Sequence, residues 1–182
     1  DTLTAINGSA KSTLVLLSVN SNNEDPNEVN DVNFAINKFG KLIPTIGSKF
    51  KNTVNVDTLE LRGVAQKIYI GTAPVTVKNI NNRKATIYYT TNDFKPLNVT
   101  GNITLEDAPL EFALVDGDDH TSYQKFESGA TVLTSKTVDL STIKVADESV
   151  PAKQVLADHT LARVGSDVKI MPAAFELSHF DT

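Results

Sequence analysis

The amino-acid sequence predicts an all-β protein: a single β-sandwich or jelly-roll domain with an N-terminal strand arm and one short helix at about residues 26–39. Three observations predict this class. Short runs of β-branched and aromatic residues alternate with turns rich in Asn, Gly, Pro and Ser. The spacing of these runs is typical of sandwiches and jelly rolls. The 182 residues, of which 40% are hydrophobic and 21% charged, suffice for one buried core.

The first element is an apolar arm at residues 1–20, which we separate from a β-sandwich domain at residues 21–182. Residues 2–6 and 12–19 are rich in strand formers, and residues 21–24 form a polar bend that would serve as a hinge. The chain starts at Asp1 rather than Met, which suggests removal of a leader and secretion, although truncation would look the same. An apolar terminal strand either joins its own sheet or is donated to another molecule.

A helix is expected next, at about residues 26–39. Asp25 can cap it, Pro26 fits its first turn, and Glu28 stands at capping-box spacing from Asp25. Apolar residues then recur at helical intervals before Gly40: Val29, Val32, Ile36 and Phe39.

After Gly40 the pattern changes to strands divided by turns. A hairpin is predicted between residues 75–78 and 85–90, because an Asn-rich loop at residues 79–84 joins them. Further strands are expected at residues 54–61, 67–70, 98–105, 110–115, 130–133, 142–145, 155–157, 162–164 and 168–171. No repeat period and no low-complexity linker is visible, so the sequence predicts one domain.

Composition excludes several classes of function. The net charge of -5 and the pI near 5.1 oppose binding to nucleic acid or anionic membrane, since both partners require a basic surface. The chain has no Cys, so disulfides, thiolate metal sites and thiol nucleophiles are absent. No apolar run is long enough to span a membrane.

The search for catalytic motifs predicts that the protein is not an enzyme and needs no cofactor. The three histidines, His120, His159 and His179, are far apart in sequence, and no G-x-S-x-G or H-E-x-x-H motif accompanies them. Neither G-x-G-x-x-G nor a P-loop occurs. Paired carboxylates for glycoside cleavage stay open, because nothing in the sequence selects a pair.

The best candidate for a metal site is the run Asp116-Gly117-Asp118-Asp119, with Glu111 upstream. Carboxylates around a glycine offer hard oxygens to calcium, and the glycine permits a sharp turn. The alternative is a solvated turn between strands, since Asp and Gly are common turn residues.

Three N-x-S/T sequons provide candidate glycosylation sites at Asn7, Asn98 and Asn102. Their number is what chance would give in a chain this rich in Asn, Ser and Thr. In a host that glycosylates exported proteins, Asn98 and Asn102 would project from one sheet face, because they share strand parity.

Residues 55–61 (Asn-Val-Asp-Thr-Leu-Glu-Leu), followed by residues 75–79 (Val-Thr-Val-Lys-Asn) and 85–89 (Ala-Thr-Ile-Tyr-Tyr), resemble the strand-loop-hairpin of TasA/camelysin-like secreted filament proteins. The resemblance implies a jelly-roll-like subunit that exchanges an N-terminal strand with a neighbour. Residues 137–145, with 150–152 and 157–159, are similar to a strand pair in Ig-like modules of surface proteins. The D-G-D-G that usually follows that pair is absent, so its acidic loop is not transferred. Both resemblances imply an extracellular β-sandwich.

These observations predict a non-enzymatic structural subunit that forms an extracellular, pilus-like homopolymer by donating its N-terminal strand. The assembly strand would use Leu3, Ala5, Leu14, Val15, Leu16, Leu17 and Val19. An ordinary first strand within the chain's own sheet is the simplest alternative. Two other functions stay open: a cell-surface adhesin or module that binds carbohydrate or protein, and a viral or phage capsid-decoration or tail protein.

Overall fold

The structure, a computed structural model, describes residues 2–18, 27–146 and 159–172. Those residues are almost entirely β: they contain no α-helix and a single 3-10 turn, η1, at Leu140–Thr142. The strands in chain order are β1 (Ala5–Asn7), β2 (Thr13–Val15), β3 (Asn30–Val32), β4 (Ala35–Asn37), β5 (Lys41–Ile43), β6 (Ser48–Phe50), β7 (Val54–Leu61), β8 (Lys67–Ile70), β9 (Val75–Asn82), β10 (Thr86–Tyr89), β11 (Leu97–Val99), β12 (Ile103–Leu105), β13 (Leu110–Val115), β14 (Tyr123–Gln124), β15 (Thr131–Thr134), β16 (Ile143–Val145), β17 (His159–Val164) and β18 (Asp167–Pro172).

The chain winds as a β-solenoid, passing back and forth between two sheets. Sheet A contains β1, β2, β4, β5, β7, β9, β11, β12, β15, β17 and β18, and sheet B contains β3, β6, β8, β10, β13, β14 and β16. Strands of successive coils pair in parallel, as β7 does with β9 and β8 with β10. Parallel neighbours need a crossover, and here each crossover supplies a strand to the opposite sheet. The all-β class is therefore confirmed, whereas the β-sandwich or jelly-roll prediction is wrong.

Apolar side chains from successive coils stack into columns between the two sheets. The parallel register places Val56, Val77 and Val99 opposite one another in sheet A. A second column in sheet A consists of Leu14, Leu42, Leu59, Ile80 and Ile103. Sheet B faces them with Val32, Phe50, Ile70, Tyr89 and Leu114. These side chains belong to one continuous hydrophobic core, with Leu14 partly buried at its edge.

The expected helix at residues 26–39 is wrong over the described residues 27–39. This segment forms β3 in sheet B and β4 in sheet A, with a sharp corner at residues 33–34. Val32 and Ile36 are both buried, but they enter the core from different sheets. Their helix-like spacing arises because the chain turns a corner between them, so no helical face exists. Residues 25 and 26 lie outside the described part of the chain.

The predicted hairpin of residues 75–78 and 85–90 is also wrong, since β9 and β10 lie in different sheets. The Asn-rich segment contributes the end of β9 and then the corner that leads to β10. Asn82 is 1% exposed at this corner. Its Oδ1 accepts a hydrogen bond from the backbone N–H of Ala85 at 3.1 Å, and its Nδ2 donates to the carbonyl of Ala108 at 2.9 Å. The Asn residues here stabilise a corner rather than a hairpin loop.

An antiparallel hairpin covers the other end of sheet A. β15 pairs with β18, and β18 with β17, both in antiparallel fashion. The Arg163 guanidinium on β17 donates to the carbonyl of Ser135 at 2.6 Å and to that of Val138. The strands expected at residues 162–164 and 168–171 fall within β17 and β18, while residues 155–157 lie outside the described residues.

Candidate assembly interface

The N-terminal segment pairs with its own chain. β1 lies parallel to β4, and β2 lies parallel to β5, so together they form the first rung of sheet A. Backbone hydrogen bonds continue past both strands. The N–H of Gly8 donates to the carbonyl of Asn37 at 2.8 Å, and the N–H of Leu16 donates to the carbonyl of Ile43 at 2.9 Å. The arm at residues 1–20 is thus, over residues 2–18, a strand layer of this solenoid rather than a projecting strand.

A tight turn at residues 8–12 joins the two strands of this rung. Ser9 and Ser12 hold it, since the Ser12 hydroxyl donates to the carbonyl of Ser9 at 2.8 Å and accepts from its N–H at 2.8 Å. Gly40 of the next rung lies directly against the turn, where a Cβ atom would come within 2.0 Å of the Ala10 carbonyl oxygen. A glycine is therefore needed at position 40 for the two rungs to approach each other.

The first rung has one paired edge and one free edge. In sheet A, β1 has only β4 as a neighbour and β2 has only β5, within the ranges that the structure describes. A free edge presents a row of backbone N–H and C=O groups that can pair with a strand of another molecule. The inward side chains of this rung, Ile6, Leu14 and Leu16, are only partly buried against the core.

β17 forms the free edge at the opposite end of sheet A, again within the described residues. The strands from β1 to β15 along this sheet are parallel to one another. Two antiparallel pairings then follow, from β15 to β18 and from β18 to β17. Two reversals restore the original direction, so β17 runs parallel to β1.

Exposed apolar side chains concentrate at these two ends. Five large hydrophobic residues are exposed in the described part of the chain, and four belong to the end strands or the residues beside them: Leu3 (53%), Val15 (50%), Leu17 (82%) and Val164 (53%). The fifth, Val64, is 69% exposed in the turn between β7 and β8. Single exposed hydrophobics are common, but their concentration at the two sheet ends is typical of contact surfaces.

Of the residues predicted for the assembly strand, the structure brings six into the first rung: Leu3, Ala5, Leu14, Val15, Leu16 and Leu17. Val19 lies outside the described residues. Sequence reasoning missed Val164, because nothing in the sequence marks β17 as the far edge of the same sheet.

The predicted calcium-binding loop folds as a turn that uses its own carboxylates. Asp116 Oδ1 accepts from the N–H of Asp118 at 2.8 Å, and Asp119 Oδ1 accepts from that of Ser122 at 2.9 Å. Hydrogen bonds from the Ser122 side chain, then from the backbone of Ser122 and Thr121, lower the pKa of Asp119 to about 2. Within the described ranges, no group of three His or carboxylate side chains is arranged to hold a metal.

The three sequon asparagines lie on the sheet A side of the solenoid. Asn7 ends β1 and accepts a hydrogen bond from Asn37 at 3.2 Å. Asn98 in β11 accepts from the Thr134 hydroxyl at 3.1 Å, and Asn102 precedes β12 in an exposed position. Glycosylation at these positions stays a prediction.

His120 sits over the outer face of sheet B. Its Nε2 lies 2.9 Å from Nζ of Lys49, and its ring contacts Tyr69 edge-on with centroids 5.2 Å apart. Burial, and then the charge of Lys49, lower the pKa of His120. The His159 side chain and the whole of His179 lie outside what the structure describes.

Comparison of the chain with protein-family models, with curated proteins and with solved structures finds no match. In the part of the chain that the structure describes, no helix is long and apolar enough to cross a membrane.

Proposed function

We propose that this chain is a non-enzymatic structural subunit of an extracellular assembly, and that copies stack head to tail through the free edges of sheet A. The observation that carries the proposal is the common direction of β1 and β17. When β17 of one copy pairs with β1 of the next, the parallel sheet continues without reversal. Such a heterologous contact leaves the same two edges free at the ends of every oligomer, so it propagates as a filament.

Burial of the exposed apolar residues supports the same contact. Leu3 beside β1 at one end and Val164 on β17 at the other would leave water on stacking, at roughly 25 cal/mol per Å² of apolar surface buried. The contact is edge addition between folded rungs, so it needs no release of the N-terminal strand. This distinguishes the proposal from strand donation by a swinging arm.

The extracellular location and the absence of catalysis belong to the same proposal. The extracellular location rests only on the sequence likeness of residues 55–61, 75–79 and 85–89 to secreted filament subunits, since the hairpin and the jelly roll that this likeness implied are not formed. The absence of catalysis rests on the lack of catalytic motifs in the sequence.

Charge substitutions at exposed apolar residues test the proposal. Sedimentation velocity and negative-stain microscopy over a range of concentrations should show linear oligomers of the unmodified chain. L3K and V164K should each abolish them, because a lysine at the free edge opposes strand pairing. V64K is the matched control, since Val64 is also exposed but lies in the turn between β7 and β8 rather than at β1 or β17, and it should assemble normally. A chain that stays monomeric at every concentration, or equal loss in V64K, would contradict the proposal.

A further inference from the structure

A cleft of about 440 Å³ opens on the outer face of sheet B. Its floor consists of outward side chains from β8, β10, β13 and β16 of sheet B. We name it the lysine groove after its charged lining residues. The polar side chains that line it include Lys67, Lys84, Thr86, Glu111, Tyr123 and Lys144.

Four of these side chains form one column across four coils. Lys67 lies opposite Thr86, Thr86 opposite Glu111, and Glu111 opposite Lys144. Neighbouring strands are about 4.8 Å apart, so Lys67 and Lys144 are separated by about 14 Å along the solenoid. The groove therefore offers one polar group for each coil, at a regular spacing.

The charges of the groove are unequal. Glu111 is its only acidic lining residue, and it is engaged by Nζ of Lys144 at 3.5 Å and by the Thr86 hydroxyl at 3.2 Å. Lys67 places its ammonium 5.8 Å from the centre of the Tyr88 ring. Lys67 and Lys84 make no ion pair with a carboxylate of residues 2–18, 27–146 or 159–172. A local excess of positive charge thus stands on a chain whose net charge is -5.

We propose that the lysine groove binds an anionic polysaccharide, with Lys67 and Lys84 contacting its carboxylate or sulfate groups. A lysine ammonium acts as a compact point charge with three donors, so it accepts either anion without a fixed geometry. The column of Lys67, Thr86, Glu111 and Lys144 places one polar group on each coil, and an extended sugar chain likewise carries polar groups at regular intervals. The Thr86 and Tyr123 hydroxyls, which also line the groove, suit the hydroxyls of such a polymer.

Two other polyanions fit the groove less well. An acidic peptide that binds by strand addition needs a free sheet edge, whereas the groove lies on a sheet face. A nucleic acid carries a phosphate at every nucleotide, and binding to it requires many more cationic contacts than the two unpaired lysines of the groove supply. Binding should be weak and salt-dependent. A plot of the logarithm of the association constant against the logarithm of the salt concentration should have a slope of roughly -1 to -2.

The test is titration calorimetry of the full chain, backed by tyrosine fluorescence, because the chain lacks Trp and two of its four Tyr line the groove. The probes are an oligogalacturonate for carboxylates, a heparin oligosaccharide for sulfates, and dextran as the neutral polymer. Poly-glutamate and a single-stranded oligonucleotide serve as the other polyanions. At least one anionic glycan should bind, and dextran should not.

Matched variants locate the binding. K67Q/K84Q should weaken binding by about tenfold or more, while K78Q/K136Q, which makes the same charge change at two exposed lysines elsewhere, should alter it by less than about twofold. Thermal unfolding of both variants should match that of the parent chain. The proposal is overturned if neither glycan binds at low salt, if the two variants lose binding equally, or if poly-glutamate or the oligonucleotide binds more tightly than both glycans.

Discussion

Tyr89 ties the two sheets of the solenoid together through its hydroxyl. The side chain is fully buried, and its hydroxyl donates to the carbonyl of Val132 at 2.5 Å and accepts from the N–H of Leu97 at 2.9 Å. Burial raises the pKa of Tyr89 well above the ordinary value for tyrosine. The ring stacks on Phe94 with centroids 3.8 Å apart.

Removal of this hydroxyl should destabilise the protein without changing its fold. Tyr89→Phe leaves a buried carbonyl and a buried N–H unpaired, at a cost of about 1–3 kcal/mol. Tyr69→Phe is the matched control, since Tyr69 is also buried but its hydroxyl makes no hydrogen bond to the described residues. Urea unfolding of both variants measures the difference, and equal free energies of unfolding would contradict the role of the Tyr89 hydroxyl.

Lowering the pH should also lower the stability of the protein, because of His120. Burial and then the charge of Lys49 lower the pKa of His120 in the folded chain. A hydrogen bond with the backbone of Asp118 and the charges of Asp31 and Asp119 raise this pKa, but their effects are weaker. The unfolded chain therefore binds more protons just below the ordinary histidine pKa of about 6.5, and stability decreases as pH falls through that window. Melting temperatures from pH 7.5 to 5 measure the effect, and H120Q should flatten the curve. An unchanged slope in H120Q would show that other groups control it.

At the scale of elements, corners between the two sheets explain why the strands were more predictable than their pairing. The apolar alternation of Val54 and Val56 correctly marks β7, and that of Val75 and Val77 marks β9. Nothing in that alternation reports whether the next strand returns beside it or crosses to another sheet. The prediction of a helix failed for the same reason. Val32 and Ile36 are four residues apart and both buried, as on a helix, but a corner of the chain lies between them.

The approach of the first two rungs makes a second test at this scale. Gly40→Ala should displace the turn at residues 8–12 and loosen β2 from β5, because the added Cβ meets the Ala10 carbonyl oxygen at 2.0 Å. We expect a loss of about 1–3 kcal/mol, together with faster amide hydrogen exchange at Leu16. Gly63→Ala is the control, since its Cβ would meet no atom closer than 3.4 Å. Unchanged protection of Leu16 in Gly40→Ala would contradict the close approach.

At the scale of the whole molecule, unequal coils explain why no repeat was visible in the sequence. Val32, Phe50, Ile70, Tyr89 and Leu114 occupy equivalent positions in sheet B, yet successive members are 18, 20, 19 and 25 residues apart in the sequence. Solenoids are recognised from sequence by a fixed period, which these coils of unequal length lack. The six residues of the first rung that the apolar pattern predicted for the assembly strand do lie at one end of sheet A. Val164 and the lysine groove could not be predicted, because only folding brings their coils together.

Cross-linking between copies tests head-to-tail stacking most directly. Asn7 and Val164 stand in one column of paired residues across sheet A, so they would face each other when β17 of one copy pairs with β1 of the next. The chain has no cysteine, so N7C and V164C each introduce a single thiol, one at either end of this column. A mixture of the two variants, treated with a short bis-maleimide, should give a covalent dimer that contains one copy of each. Each variant alone should give little dimer, because like ends do not meet in the proposed contact. Dimers from N7C alone would show that first rungs face each other, and no dimer in the mixture would contradict stacking through these edges.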